Sequence, residues 1–545
     1  MSGNGRQRAG TVWGRPQVSD SSQVRVTRRA TASAIVACTM LFGGCAKALT
    51  QLDGPTPPTS PAAKPIGSTS TGTGTGTGTS TGTGTSTGTS TGTGTGTGSG
   101  TGSRQDVPGF VPLNKAVGFG ILRLMTLEER PNPLDVVIYQ ALPNEMPRVA
   151  GVITTVGQTP LSHVNLRAVQ DMVPNAVVGK VLEDPAITAL MGLYVKYEVT
   201  DSGFTIELST QAEVVAHHAT TRPPEQQTPQ RDLSIKKITP LSDIGFKNWT
   251  AFGVKAANVA TLRTFHLRDV FVPDGYGVPF WFYDSFMKYN DLYDRARKML
   301  NDPKFLADPK VQDAQLADFR DVIKGSPMPQ WMYDDLTKLQ KSFPDGTSIR
   351  CRSSTNNEDL PSFSGAGLYD SYTQHPEEGH MSKCIQQVYA SVWNLRAYLE
   401  RDFYRIDHLS TAMGVLVYPH FAGETANGVA VTGDPVYGTD DAMYVNSQVG
   451  SDLVTNPQVQ STPEELLIYS DGNSAVITHS NRVEPGETVL TKPQIALMKA
   501  SLTIIRARFA TLYEVPAGKK FDMEVEFKII DGGLIIKQAR TWIYN

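Results

Sequence analysis

Between Arg350 and Ser371 the chain reads RCRSSTNNEDLPSFSGAGLYDS. Two arginines (Arg350, Arg352), the paired hydroxyls of Ser353 and Ser354, the acids Glu358 and Asp359, and a mobile Ser-Gly-Ala-Gly run are packed into one short stretch. Guanidinium forks, hydroxyls and glycine backbone together suit a polyphosphate. A second reactive group stands far upstream. His163 lies in GQTPLSHVNLRAVQDMVPNAVVGK, residues 157–180, with Ser162 before it and Arg167 four residues on. An imidazole nitrogen is largely unprotonated near neutral pH and accepts a phosphoryl group. A helix amino terminus and a nearby arginine would stabilise the resulting anion. A surface histidine that merely begins a helix is the plainer alternative. The third group closes the chain, in FDMEVEFKIIDGGLIIKQARTW, residues 521–542. Met523, Val525 and Phe527 alternate with Asp522, Glu524 and Glu526, so one strand face is apolar and the other acidic. The Asp531-Gly532-Gly533 turn brings Gln538 and Arg540 back across a hairpin. Carboxylate and amide oxygens at Asp522, Glu524 and Gln538 are hard ligands suited to Mg²⁺, although solvated acids on an exposed hairpin share the pattern.

The elements that must hold these groups are mixed α and β. Val136–Tyr139 and Val149–Thr155 read as strands, Thr159-Pro160 as a turn, Leu166–Val169 as helix and Ala176–Val178 as a buried strand. That places His163 on a loop at or near a helix start. Val195–Val199 and Phe204–Leu208 alternate around Asp201-Ser202-Gly203, a β-hairpin. Thr220–Asp232, TTRPPEQQTPQRD, reads as a linker. A helix is expected from Lys383 to Arg405, with Trp393, Leu395, Tyr398 and Leu399 as core positions. Arg396 on it either reaches phosphate or is solvated.

The segment from Cys351 to Ser371 resembles the nucleotide-binding segment of the dikinases, the family of phosphoenolpyruvate synthase, pyruvate phosphate dikinase and α-glucan water dikinase. LSHVNLRA, with Ser162, His163 and Arg167, resembles the family's swivelling phosphohistidine domain. FGVKAANVATLR (252–263), VPDGYGVP (272–279), NGVAVTGDP (427–435) and the closing hairpin resemble its ATP-grasp module. The resemblance implies an α/β (α+β) fold with an ATP-grasp nucleotide-binding domain preceded by a swivelling β/β/α phosphohistidine domain. It implies His163 as phosphoacceptor. Lys255, Arg352, Ser353, Ser354 and Arg540 would contact ATP and its phosphates, and Asp522, Glu524 and Gln538 would hold Mg²⁺. Ser162, Arg167, Glu358, Asp359 and Asp434 would support them, with Glu358 and Asp359 orienting Arg352 rather than touching ligand. Two positions depart from the pattern. Leu416 stands where the family has glutamine, and Ser451 where it has an acid, for which Asp452 is the nearby substitute.

Composition sets the frame. Of 545 residues 39% are apolar, the net charge is −3, and no basic field is present to attract nucleic acid. None of the four cysteines forms a CxxC pair, so zinc-knuckle and thioredoxin-like sites are not indicated. Cys351 and Cys384 could pair only if the fold brings them together. Arg25, Arg28 and Arg29 precede a short apolar run ending in Gly43, Gly44 and Cys45. This reads as an export signal over 1–45 that resembles a bacterial lipobox, with Cys45 lipidated and the protein held at the cell envelope. If the signal is not used, the protein is cytoplasmic. Residues 46–106 are Pro-, Thr-, Gly- and Ser-rich and read as a disordered tether. The remaining expected division is 107–219 for the histidine domain, 220–237 for a linker and 238–545 for the nucleotide domain.

The histidine domain precedes the ATP module, and no stretch remains for a pyruvate-binding barrel. That order resembles glucan water dikinase. The expected activity is phosphoryl transfer from ATP through a phosphohistidine to an unknown acceptor, a glycan or small molecule rather than pyruvate. The alternative is a surface-tethered nucleotide- or ligand-binding lipoprotein without turnover.

Overall fold

Parallel strands need a crossover between them, and one such crossover places the histidine. Gly151–Thr154 pairs in parallel with Asn175–Val177, and the helix His163–Asp171 joins the two. His163 is the first residue of that helix, beyond the carboxyl end of the strand. The helix therefore starts three residues before the expected Leu166. The computed structural model describes residues 109–143, 146–358, 360, 363, 365, 367–452, 454 and 461–542, all within one compact unit. Cys45, the signal, the tether and Asp359 lie outside the described residues.

Among the described residues there are three sheets. The first runs Val111–Asn114, Asn175–Val177, Gly151–Thr154, Asp135–Tyr139, Val117–Met125, Tyr194–Val199 and Phe204–Leu208. Its centre is parallel and its outer pairs antiparallel. The expected hairpin is present, with Val199 opposite Phe204. The chain then makes a further helix, Gln211–Thr221, which enters the stretch read as linker. Thr210 and Glu213 cap it reciprocally, a Thr-x-x-Glu signal that stood in the sequence.

The second sheet has five strands in the order Tyr372–Gln374, Ile349–Thr355, Met413–Pro419, Tyr276–Val278 and Thr239–Pro240. It packs on helices through a large apolar core that includes Phe280, Phe286, Phe319, Tyr389 and Trp393. The third has seven strands and ends in the hairpin Met523–Ile530 and Gly533–Thr541. Helix Lys492–Leu512 covers one of its faces, burying Met498, Leu502, Ile505 and Phe509 against Val525 and Phe527. The short link from His420 to Thr425 joins the second sheet to the third.

The helix expected over 383–405 is broken. Ser382–Ala390 and Leu395–Phe403 are separate α-helices, because Asn394 takes an extended ψ of 138° after a 3₁₀ turn at Ser391–Trp393. Trp393 and Tyr398 are buried as core. Cys351 and Cys384 are both buried and both free thiols. Hydrogen bonding to the Cys384 thiol, together with burial, pushes the Cys351 thiol well above its ordinary pKa.

Candidate active site

Strand alternation sorts the Arg350–Thr355 run. Ile349 and Cys351 enter the core, while Arg350 and Arg352 face a cleft of about 500 Å³ between the second and third sheets. Both serines turn away from it. Ser354 Oγ accepts a hydrogen bond from the backbone N–H of Ala256 at 3.0 Å. Ser353 Oγ accepts one from Lys255 Nζ at 3.3 Å. Both serines are fully buried and neither lines the cleft. The expected phosphate contacts from Ser353 and Ser354 are thus replaced by a positioning role for the helix Val254–Arg263. Gly253 makes that seam possible: its φ is +83°, and a Cβ there would lie 2.2 Å from the Ser354 carbonyl oxygen. Lys255, on the first turn, reaches the cleft. Its ammonium pairs with Glu358 at 2.9 Å. Glu358 thus orients Lys255, not Arg352 as expected, and burial raises its carboxyl pKa against the pull of Lys255.

On the closing hairpin Met523, Val525 and Phe527 are buried in the core, while Glu524, Glu526 and Lys528 face the cleft. Gln538 stands across from Glu526, and Arg540 across from Glu524. Arg352 Nη2 donates to Gln538 Oε1 at 2.7 Å and to Glu526 Oε2 at 3.1 Å. Arg540 Nε donates to Glu524 at 3.0 Å. Burial alone would raise the Glu526 carboxyl. Arg352, Lys537, Arg540 and Lys255 outweigh it and hold Glu526 far below the usual carboxylate range. That field favours the carboxylate form, and its place on the cleft makes Glu526 a stronger hard-ligand candidate than Asp522.

Asp522 is a correction. It precedes the strand, is fully buried and does not line the cleft. Its Oδ1 accepts from Thr432 Oγ1 at 2.8 Å and pairs with Arg506 of the covering helix at 3.1 Å. Asp434 is another. Its carboxylate accepts the backbone N–H groups of Val436, Tyr437 and Thr439, each at 3.0 Å, and so shapes its own turn. Asp452 pairs with Arg482 at 3.1 Å and is absent from the cleft lining, so it does not replace the missing acid. Leu416 is buried among Phe252, Ala256 and Val259 and is absent from the cleft lining.

The histidine comes from the first sheet's crossover. Ser162 caps the helix by accepting the Asn165 N–H at 3.2 Å, which fixes the backbone beneath His163. The half-buried His163 lines the same cleft as Lys255, Arg352, Glu524, Glu526, Gln538 and Arg540. Arg167 borders it as well, but its guanidinium pairs with Asp171 Oδ2 at 3.0 Å and with Glu400. Arg148 joins the cluster through Asp171 at 2.9 Å and Glu400 at 3.6 Å. Arg167 is thus held by carboxylates rather than directed at the imidazole. Leu161 inserts into an apolar cluster of the third sheet with Val429, Val431 and Tyr444. These two contacts seat the histidine-bearing helix on the cleft.

Eight cationic side chains line the cleft against four carboxylates, an excess of four positive charges among the described residues. A polyphosphate would meet a strongly attractive field there. Sequence reasoning missed Glu526 as a ligand and Lys537 altogether. Burial, with Arg352, Lys528 and Arg350 adding to it against Glu526, pushes the Lys537 ammonium down to about 8.

Residues 250–541, more than half of the chain, match the family described as "Pyruvate phosphate dikinase, AMP/ATP-binding domain". The chain belongs to this family. Its relatives match it at low identity. It is 28% identical over 260 residues to the phosphoenolpyruvate synthase of Aquifex aeolicus (strain VF5), covering 45% of this chain and 30% of that one. It is 28% identical over 205 residues to a probable phosphoenolpyruvate synthase of Staphylothermus marinus (strain ATCC 43588 / DSM 3639 / JCM 9404 / F1), covering 36% and 24%. It is 25% identical over 329 residues to a rifampicin phosphotransferase of Streptomyces sp, covering 56% and 36%. The chain thus spans between 24% and 36% of the length of these three relatives. In this AMP/ATP-binding domain the donor chemistry suits a hard divalent cation. Glu526 and Gln538 oxygens face the cleft and both accept from one Arg352 nitrogen, and carboxylate and amide oxygens are hard donors of the kind such a cation takes.

Proposed function

We propose that the chain is a dikinase-like phosphotransferase that binds ATP in this cleft and passes a phosphoryl group to His163. In the transfer an imidazole nitrogen of His163 forms the N–P bond to the β-phosphorus as the α–β phosphoanhydride P–O bond breaks, so AMP is the leaving group, and the γ-phosphoryl group passes to water as inorganic phosphate. Lys255 and Arg352 neutralise the phosphates, and Arg540 lies beside them. Such positioning and charge stabilisation carry most of the catalysis of phosphoryl transfer. Glu526 and Gln538, with Glu524 beside them, would hold Mg²⁺, which when bound supplies further neutralisation of the phosphates. The observation that carries the reading is that His163 borders the same cationic cleft as the proposed phosphate ligands. On this reading the nucleotide domain is an ATP-grasp module and the first sheet a swivelling carrier. The acceptor that takes the group onward is a glycan or small molecule.

The test is labelling with ATP carrying β-³²P. His163→Ala should abolish incorporation into the protein while ATP binding stays within about twofold of wild type. Equal labelling of wild type and variant overturns the relay. ATP binding without AMP production by the wild type supports instead a tethered binding protein. Envelope anchoring through Cys45 is part of the proposal and rests on the sequence. Palmitate labelling of the full chain, lost in Cys45→Ser, tests it.

A further inference from the structure

The hairpin that carries Glu526 and Gln538 has a defect beside them. Glu526 pairs with Gln538 and Phe527 with Ile536, so Lys537 is an extra residue opposite neither. Such a bulge re-aims a side chain that strict alternation would send to the other face. Lys537 therefore enters the cleft together with Gln538. Its ammonium has no carboxylate of its own. Glu526 is 3.7 Å away and lies closer, at 3.1 Å, to Arg352. The Lys537 ammonium makes no hydrogen bond to any other described residue.

The order of groups along the hairpin locates it. On one side stand Glu526, Gln538 and Arg352, the end rich in hard oxygens and cationic donors. On the other stands Lys528, which pairs with Glu424 at 2.6 Å and donates to the Phe421 carbonyl at 3.0 Å, both on the link between the two sheets. Phe421 lines the cleft at that end, its ring stacked at 6.0 Å on Tyr418, whose hydroxyl reaches back to Arg352 at 3.5 Å. A flat base favours the aromatic end and a phosphate tail the charged end. The phosphate nearest the nucleoside then falls between them, where Lys537 stands.

We propose that Lys537 grips the α-phosphate of the bound nucleotide, the phosphate that AMP shares with ATP. This rests on the reading that the cleft binds ATP. The test compares AMP and ATP binding by calorimetry for the full chain, for Lys537→Met and Lys537→Gln, and for Lys537→Arg. Loss of a charge-assisted contact should weaken AMP by about 10- to 100-fold in both neutral variants. Lys537→Arg should restore binding to within about threefold, which a merely structural role would not do. AMP affinity unchanged in either neutral variant overturns the inference, as does a wild type that binds ATP but not AMP, or an arginine variant as weak as the neutral ones. A wild type that binds no ATP fails the proposed function itself. ATP binding that survives while AMP binding ignores Lys537 fails only this assignment.

Discussion

Glu400 offers the sharpest test of how the histidine is held. Its carboxylate is fully buried and pairs with Arg148 and Arg167, both from the first sheet's unit and both nearly fully buried. Glu400→Gln removes the negative charge and leaves two buried guanidiniums sharing Asp171. Breaking a buried ion pair from one side costs about 3–5 kcal/mol. Undocking returns the arginines to water, so the penalty falls on the docked state alone. At about 1.4 kcal/mol per tenfold, the undocked population should rise by roughly 10²- to 10³-fold. Leu161 in its apolar cluster and the Tyr404 hydroxyl on the Gln170 carbonyl at 3.0 Å remain, so the variant should still dock most of the time. Hydrogen exchange reads this directly. Amides of the helix His163–Asp171 that open by undocking should exchange faster by about that factor, while the strand Ile349–Thr355 should not change. Exchange in the helix within about threefold of wild type would refute the claim that Glu400 holds it.

Two further outcomes follow from particular groups. Burial lowers the His218 pKa to about 4 against the pull of the Phe119 carbonyl, to which the ring Nε2 donates at 3.1 Å. The unfolded chain, with an ordinary histidine value near 6.5, binds more protons between those limits, so stability falls as pH drops from about 6.5 to 4. The loss amounts to about 2–3 kcal/mol, and urea midpoints of His218→Gln should show a correspondingly flatter pH dependence; identical profiles would contradict the assignment. The second outcome separates two acids on one hairpin. Glu526→Gln should raise the Mg²⁺ concentration needed for ATP turnover by about tenfold or more, whereas Asp522→Asn should leave the Mg²⁺ titration in place and cost about 1–3 kcal/mol of stability.

Much of the site was legible because period-2 alternation is local. Met523, Val525 and Phe527 identify the core face of the closing strand, and Glu524 on the opposite face follows at once. The same rule misplaced Asp522, because alternation stops where the strand does and Thr432 and Arg506 claim the carboxylate. It hid Lys537, since a bulge leaves no mark in spacing alone. Ser353 and Ser354 misled for another reason. Hydroxyls beside arginines suit phosphate, but they suit equally the backbone and ammonium of a helix that Gly253 lets approach within contact. Arg167 was read as a neighbour of His163 from i, i+4 spacing, while its partner Glu400 lies more than two hundred residues on and could only come from the fold. The broken helix at Asn394 carries no proline or glycine to announce it.

Arg352 grows from the second sheet and takes hold of Glu526 and Gln538 on the third. It is a strut between two walls, and it is built from the very side chain proposed to meet an incoming polyphosphate. The two walls are thereby braced near a fixed width by the protein's own side chains. A guest that takes over the guanidinium must replace the brace it displaces, so ligand and scaffold become one span, and little of the binding free energy is lost to rearranging the walls.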